Sequence, residues 1–288
     1  WMLLASCIGA YAQSCCCTGA GANYSILPNL TKNVIGLRYS RATYFSITQS
    51  LNPDLNGMRT DEMLNTLELF GRFNLNNRFQ LSVFVPVDFI RQHSKEADNR
   101  TNSLGDMSFI AQYSILNPLK CNGKKSKHQL RIGIGTKLPS GDFKKDDNNL
   151  YSTSVQSGTG SIDFLANVIY TYRYEGLGLN VRAGYKLNTT NKYDFKFGNK
   201  ADGAANVFYV IKAKEVSFMP SVGVTYAHSF ENRDNGQDVY LSYSDLVTAS
   251  LSFDTYYKHF AVSLSAEPVV YNHVALRGFK QLYSLNAG

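Results

Sequence analysis

The chain has 288 residues, 44% of them hydrophobic and 18% charged, with a mean hydropathy of −0.23. It contains no run of about 18 or more apolar residues, which excludes a helical membrane protein. Its formal charge of +7 raises nucleic acid as a partner. The basic residues, however, are spread over alternating segments and turns, not gathered into an arm or helix, so no nucleic acid is expected. Nineteen Tyr and 17 Phe against one Trp suit strands and interfacial aromatic girdles.

Residues 1–12 read as a residual signal peptide, an apolar stretch running into the A-x-A site Ala10-Tyr11-Ala12. A second reading, lipidation at Cys7 behind Leu4-Ala5-Ser6, also implies export. Residues 13–32 form a flexible segment with Cys15, Cys16 and Cys17, and residues 33–288 form one β-domain.

The first strand is expected from about Asn33 to Ser46, with Ile35, Leu37 and Tyr39 opposite Gly36, Arg38 and Ser40. The second, about Glu62 to Leu75, sets Leu67 and Leu69 against Glu68 and Arg72. Asn76-Asn77 reads as a tight turn, because asparagine tolerates positive φ. The third, Phe79 to Ile90, is followed by a charged loop and a fourth near Gly105 to Leu116. The fifth is clearer: Leu130, Ile132 and Ile134 share one face, and Arg131, Gly133 and Lys137 the other. The sixth puts Phe164, Val168 and Tyr170 opposite Asp163, Asn167 and Arg173. The seventh alternates Leu179, Val181 and Tyr185 with Asn180, Arg182 and Lys186. The eighth sets Val207, Tyr209 and Ile211 against Asn206, Val210 and Lys212. Three more follow around Phe218–Phe230, Val247–Asp254 and Phe260–Glu267, and a twelfth begins at Gln281 and is cut off by the chain end.

A period of two means strands, and full charges at mid-strand opposite an apolar face ending in tyrosines fit a wall between lipid and lumen. The fold expected is all-β, an antiparallel transmembrane β-barrel of about 12 strands with the last truncated. Connections alternate long and short, as in bacterial outer-membrane barrels. The basic connection at 118–127 is the exception. Pro86, Pro220 and Pro268 fall inside strands and predict bulges or kinks, or else a lateral opening in the wall.

Three Gly-rich pieces lie at strand ends: Ser103-Leu104-Gly105-Asp106, Gly133 through Gly141 (G-I-G-T-K-L-P-S-G), and Gly158-Thr159-Gly160-Ser161-Ile162-Asp163. Together they make residues 103–190 resemble the outer-membrane family named for the meta-pathway of phenol degradation, distantly similar to the long-chain fatty-acid transporters. The resemblance implies a barrel and the passage of small aromatic or hydrophobic compounds. The segment before the first strand is too short for the plug of the fatty-acid transporters, and the triple cysteine lies outside the family pattern.

The inward set expected to line the lumen is Arg38, Glu68, Arg72, Arg131, Lys137, Asp163, Arg173, Arg182, Lys186, Lys212 and Glu267, with Asp254 beside them. Bases outnumber acids, which points to an outer-membrane channel or transporter for small solutes that are hydrophobic, aromatic or anionic. The alternative is a plugged structural or partner-binding barrel whose charges pair across strands, with Lys137 brought near Asp163 by antiparallel register. A lipid hydrolase needs His and Ser on one face, whereas His228 and Ser229 are adjacent and point oppositely. No enzyme and no cofactor are therefore expected. Cys15, Cys16, Cys17 and Cys121 suggest a disulfide before a metal site, since no Cys-x-x-Cys spacing exists. Expected partners are outer-membrane lipid, a small solute, and the barrel-assembly machinery during biogenesis.

Overall fold

The computed structural model describes residues 33–47, 59–93, 98–116, 125–143, 145–146, 149–150, 156–240, 242–274 and 280–287. Residues 1–12, read as a residual signal peptide, the cysteine segment and Cys121 lie outside the described residues. Twelve strands follow in chain order. They are β1 (Val34–Ile47), β2 (Arg59–Asn74), β3 (Phe79–His93), β4 (Ser108–Leu116, preceded by an extension Asp98–Leu104), β5 (Ser126–Lys137) and β6 (Asp163–Tyr174). The second half comprises β7 (Leu177–Leu187), β8 (Lys200–Tyr209, resumed at Ile211–Ala213), β9 (Val216–Ser229), β10 (Ser244–Tyr257), β11 (Phe260–Val274) and β12 (Lys280–Ala287). Each pairs antiparallel with its sequence neighbours, and β12 pairs back onto β1, so the meander closes into a ring. Closure pairs the strands of the ring on both sides, which is what a lipid environment demands of β-structure, while the extension Asp98–Leu104 pairs on β3 alone.

The alternation seen in the sequence becomes an inside and an outside. On β7, Leu177, Val181, Tyr185 and Leu187 are exposed, while Arg182 and Lys186 between them are buried. The outer face is thus apolar, with Ile134 73% and Phe260 74% exposed, and in water so extensive an apolar surface would be a liability. Val181→Arg is expected to destabilise the barrel in vesicles by about 2–4 kcal/mol, the cost of a charge at the lipid-facing mid-wall. Denaturant unfolding in lipid checks it; a change under roughly 0.5 kcal/mol, the scale of a wet surface site, would place Val181 in water.

Each strand proline coincides with a lapse in the ladder, because proline has no N–H to give. Across from Pro86 the fourth strand breaks at residues 105–107, and its register slips by one residue between the extension and β4. Only the proline carbonyl is used there, accepting from Gly105 N at 2.9 Å. β8 is interrupted at Val210 close to Pro220, with Val210 N turned to Gly176 O at 2.8 Å. Near Pro268 the β10–β11 register shifts, and β11 pairs with β12 only from Leu264 to Pro268.

The short turns at one end use residues with positive φ: Glu175 (51°), Lys214 (52°) and Lys258 (51°). The Asn76 turn works differently from the expectation. Its side chain accepts from Arg78 N and Phe79 N at 2.8 and 2.9 Å, and no positive φ occurs there. At the other end the long connections are partly folded. The charged loop after β3 contributes the β4 extension, while Phe195–Lys196, Arg233–Asp234 and Gln237–Asp238 form a small three-stranded sheet.

Candidate functional site: a paired-charge interior and a loop clasp

Register dictates which interior charges meet. Arg38 lies opposite Glu68 on β2, and the two form an ion pair with side chains 14% and 3% exposed. Arg182 reaches Asp202 at 3.0 Å. Arg131 Nη1 donates to Gln80 Oε1 at 2.7 Å, and Gln112 Nε2 in turn donates to Asn167 Oδ1 at 3.2 Å. Arg72 and Glu267 are buried, and buried Asp254 accepts from Ser263 Oγ. Arg173 sits at the short-turn end, half-buried, with Nε on the Glu175 carbonyl at 2.8 Å. Lys212 is exposed in the short continuation after Val210, at the turn beyond the wall, and does not join the interior group.

The inward face also holds carboxylates absent from the sequence-based set. Glu62 accepts from Gln92 Nε2 at 2.9 Å, Asp88 from Thr66 Oγ1 at 2.6 Å, and Asp202 partners Arg182. With these included acids balance bases in the described interior, some joined as ion pairs (Arg38–Glu68, Arg182–Asp202, Lys137–Asp163) and others hydrogen-bonded to neutral side chains. Apolar patches interrupt it at both ends: Ala42, Tyr44, Leu64 and Ile90 on β1–β3, and Phe208, Val210 and Met219 on β8–β9.

The densest cluster is at the long-loop end. Lys137 and Asp163 face each other in the β5–β6 register, Nζ to Oδ2 at 2.8 Å, and Lys186 Nζ lies 3.5 Å from the same oxygen. Asp106 completes the group, although sequence reading placed it only in a motif. The break opposite Pro86 frees the backbone around Asp106 from the ladder, and its carboxylate pairs with Lys137. It also accepts Gly141 N at 3.0 Å, Thr159 N at 2.9 Å and Thr159 Oγ1 at 2.9 Å. Both legs of the long β5–β6 connection are thereby clasped to one side chain.

Neighbouring contacts reinforce the clasp. Ser140 Oγ donates to Gly105 O and accepts from Met107 N, Asn191 Nδ2 donates to Thr159 O at 3.0 Å, and Asp163 Oδ1 accepts Thr189 N at 3.1 Å. Gly141 and Gly158 touch backbone to backbone, since a Cβ on Gly158 would sit 2.5 Å from Gly141 O. Phe143 packs with Phe195, Phe197 and Tyr193 above it. The three Gly-rich motifs therefore converge on one carboxylate.

On the outer face, Tyr226 OH donates to Asp245 Oδ1 at 2.7 Å, and His228 Nδ1 lies 2.8 Å from the same oxygen. The cross-strand neighbour of His228 on its other side is Ala201, so no serine stands in that row. Outside the wall, hydrogen bonding to Arg91 holds the Asp98 carboxyl below the ordinary carboxylate range. No group of three or more His, Cys, Asp or Glu able to hold a metal occurs among the described residues.

A closed antiparallel ring with an apolar outside and an ionic inside defines the outer-membrane β-barrel class. Among solved structures, the chain is similar to the COG4313 outer membrane channel from Pseudomonas putida F1. That match has a TM-score of 0.63 and 14% identity, over 88% of this chain and 92% of that one. Two autotransporter barrels also align: the β domain of Bordetella BrkA (TM-score 0.49, 7% identity, 87% and 96% covered) and the translocator domain of Neisseria meningitidis NalP (0.44, 10%, 90% and 88%). No family model and no curated protein matches the sequence.

Proposed function

We propose that the protein is an outer-membrane channel or transporter that passes small solutes along a narrow, side-chain-lined axis. The observation that carries this reading is the closed twelve-strand ring whose inward face carries buried charged and polar side chains between two apolar patches while its outward face is apolar. The resemblance to the phenol meta-pathway family and the fold shared with a bacterial outer membrane channel support it. Apolar patches at both ends of a polar lining suit small amphipathic solutes, hydrophobic or aromatic, better than a strict preference for anions.

A second reading, the plugged scaffold, is favoured by the pairing itself: Arg38–Glu68, Lys137–Asp163 and Arg182–Asp202 tie neighbouring strands and occupy interior space. Planar-bilayer recording separates the two. The channel reading expects small discrete conductance steps with weak ion selectivity. Arg182→Ala, which leaves Asp202 as an uncompensated carboxylate, should shift selectivity several-fold toward cations. Silence in both the parent and this variant rejects the channel.

A further inference from the structure

One inward row of the wall carries no charge. Register places Gln129 on β5 beside Thr171, then Asn180, Asn206, Gly223 and Ser250 on β7 to β10 in turn. These residues share a side with Arg131, Arg173 and Arg182, so alternation turns them to the lumen. Thr171, Asn180, Asn206 and Ser250 are partly exposed there, whereas Arg131 and Arg182, one row nearer the loop end, are buried. One row nearer the short turns stands Phe208, opposite Gly178, and its ring lies over the glycine: a Cβ on Gly178 would sit 2.0 Å from it.

Part of the row is joined by its own hydrogen bonds. Asn180 Nδ2 donates to Thr171 Oγ1 at 2.8 Å, and Ser250 Oγ donates to Asn206 Oδ1 at 2.7 Å. The second bond reaches past β9, which Gly223 permits, because a Cβ there would lie 2.1 Å from Asn206 Oδ1. Gln129 joins neither pair. It is 7% exposed, and its Oε1 has no hydrogen-bond partner among the described residues. A buried carbonyl oxygen without a donor is costly, and this one faces inward beside the Thr171 hydroxyl, which still has its own O–H to give. The unmet group is an acceptor, so whatever meets it must bring an N–H or O–H, and a carboxylate has neither. The two guanidinium groups of the adjoining row are already engaged by Gln80 and Asp202.

We propose that this row is a binding site for one small uncharged solute carrying both a hydrogen-bond donor and an acceptor on an apolar body. It rests on the reading of a lumen open to small solutes and names which of them it holds. The donor meets Gln129 Oε1, the acceptor takes the Thr171 O–H, and the apolar body lies toward the Phe208 side. A carboxylate of the same shape sets its charge against the Gln129 oxygen and is discriminated against.

Equilibrium dialysis of the folded, detergent-purified chain tests this with benzamide, which has both groups, and benzoate, its charged counterpart, against empty micelles as the blank. Heat-modifiable gel migration confirms that each variant is folded. The expected result is one benzamide per chain, bound several-fold more tightly than benzoate. Gln129→Leu should weaken benzamide roughly tenfold while its denaturant midpoint stays or rises, since it removes a buried group without a partner. Thr171→Val should also weaken benzamide several-fold. No benzamide above the blank, benzoate bound as tightly as benzamide, or benzamide affinity unchanged in both variants overturns the proposal. Dialysis needs no ion flow, so the two readings fail separately: a conducting barrel that fails here loses only this site, and a silent barrel that passes loses only conduction.

Discussion

Asp106→Ala is expected to release the β5–β6 connection and to lower stability by about 3–5 kcal/mol, the usual cost of removing one partner of a buried ion pair. The magnitude follows from what the carboxylate does. Its side chain is 7% exposed, Lys137 beside it is 6% exposed, and two backbone N–H groups, of Gly141 and Thr159, donate to it. Alanine leaves those donors without an acceptor, at about 1–3 kcal/mol for each that stays buried. Lys137 keeps Asp163, so the variant should still close its ring. The effect should therefore concentrate in the loop.

Protease added to folded protein should cut the 138–162 segment of the variant faster than that of the parent. In the channel reading, conductance rises as the loop end opens. Asp106→Asn retains one acceptor oxygen and should fall between. An Asp106→Ala barrel with parental stability and an uncut loop would show that the aromatic cluster around Phe143 holds the connection without the clasp.

The sequence made the wall legible and the clasp illegible, for the same physical reason. A period of two is a property of each strand alone, so the outward rows of β5, β6 and β7 can be read residue by residue. Even the Lys137–Asp163 contact follows, because two strands joined by one connection pair in antiparallel register. Asp106 belongs to no strand. It stands in the gap that Pro86 forces on its neighbour, and the donors it collects come 35 and 53 residues later in the chain.

Lys212 fails for a related reason. Alternation gives it a side, but not where the wall stops, and beyond Val210 the strand has already passed into the turn. The charge balance shifted because Glu62, Asp88 and Asp202 also occupy inward positions, each hydrogen-bonded or ion-paired there. The small sheet built from Phe195–Lys196, Arg233–Asp234 and Gln237–Asp238 has strands too short to show any period.

Arg38→Ala separates a filled axis from a wet one: where side chains fill the interior it should cost a comparable amount, about 3–5 kcal/mol. Glu68 is 2% exposed and stands directly between Arg38 and Pro86 in the register. In a filled interior its carboxylate is then held away from water with its main counter-charge gone. Replacing both partners by apolar residues of similar volume, Arg38→Met with Glu68→Leu, removes the desolvation penalty along with the attraction. It should return stability to near the parental value or raise it by about 1–4 kcal/mol. The denaturant midpoint of the three proteins in vesicles measures this.

The single and double variants carry the functional argument together. In a barrel filled by its own side chains, Arg38→Ala is strongly destabilised, the double variant is rescued, and neither conducts. In a barrel with water along its axis, Glu68 is solvated once Arg38 is gone. The single variant then lies within roughly 0.5 kcal/mol of the parent, and its loss shows instead as a shift toward cation selectivity.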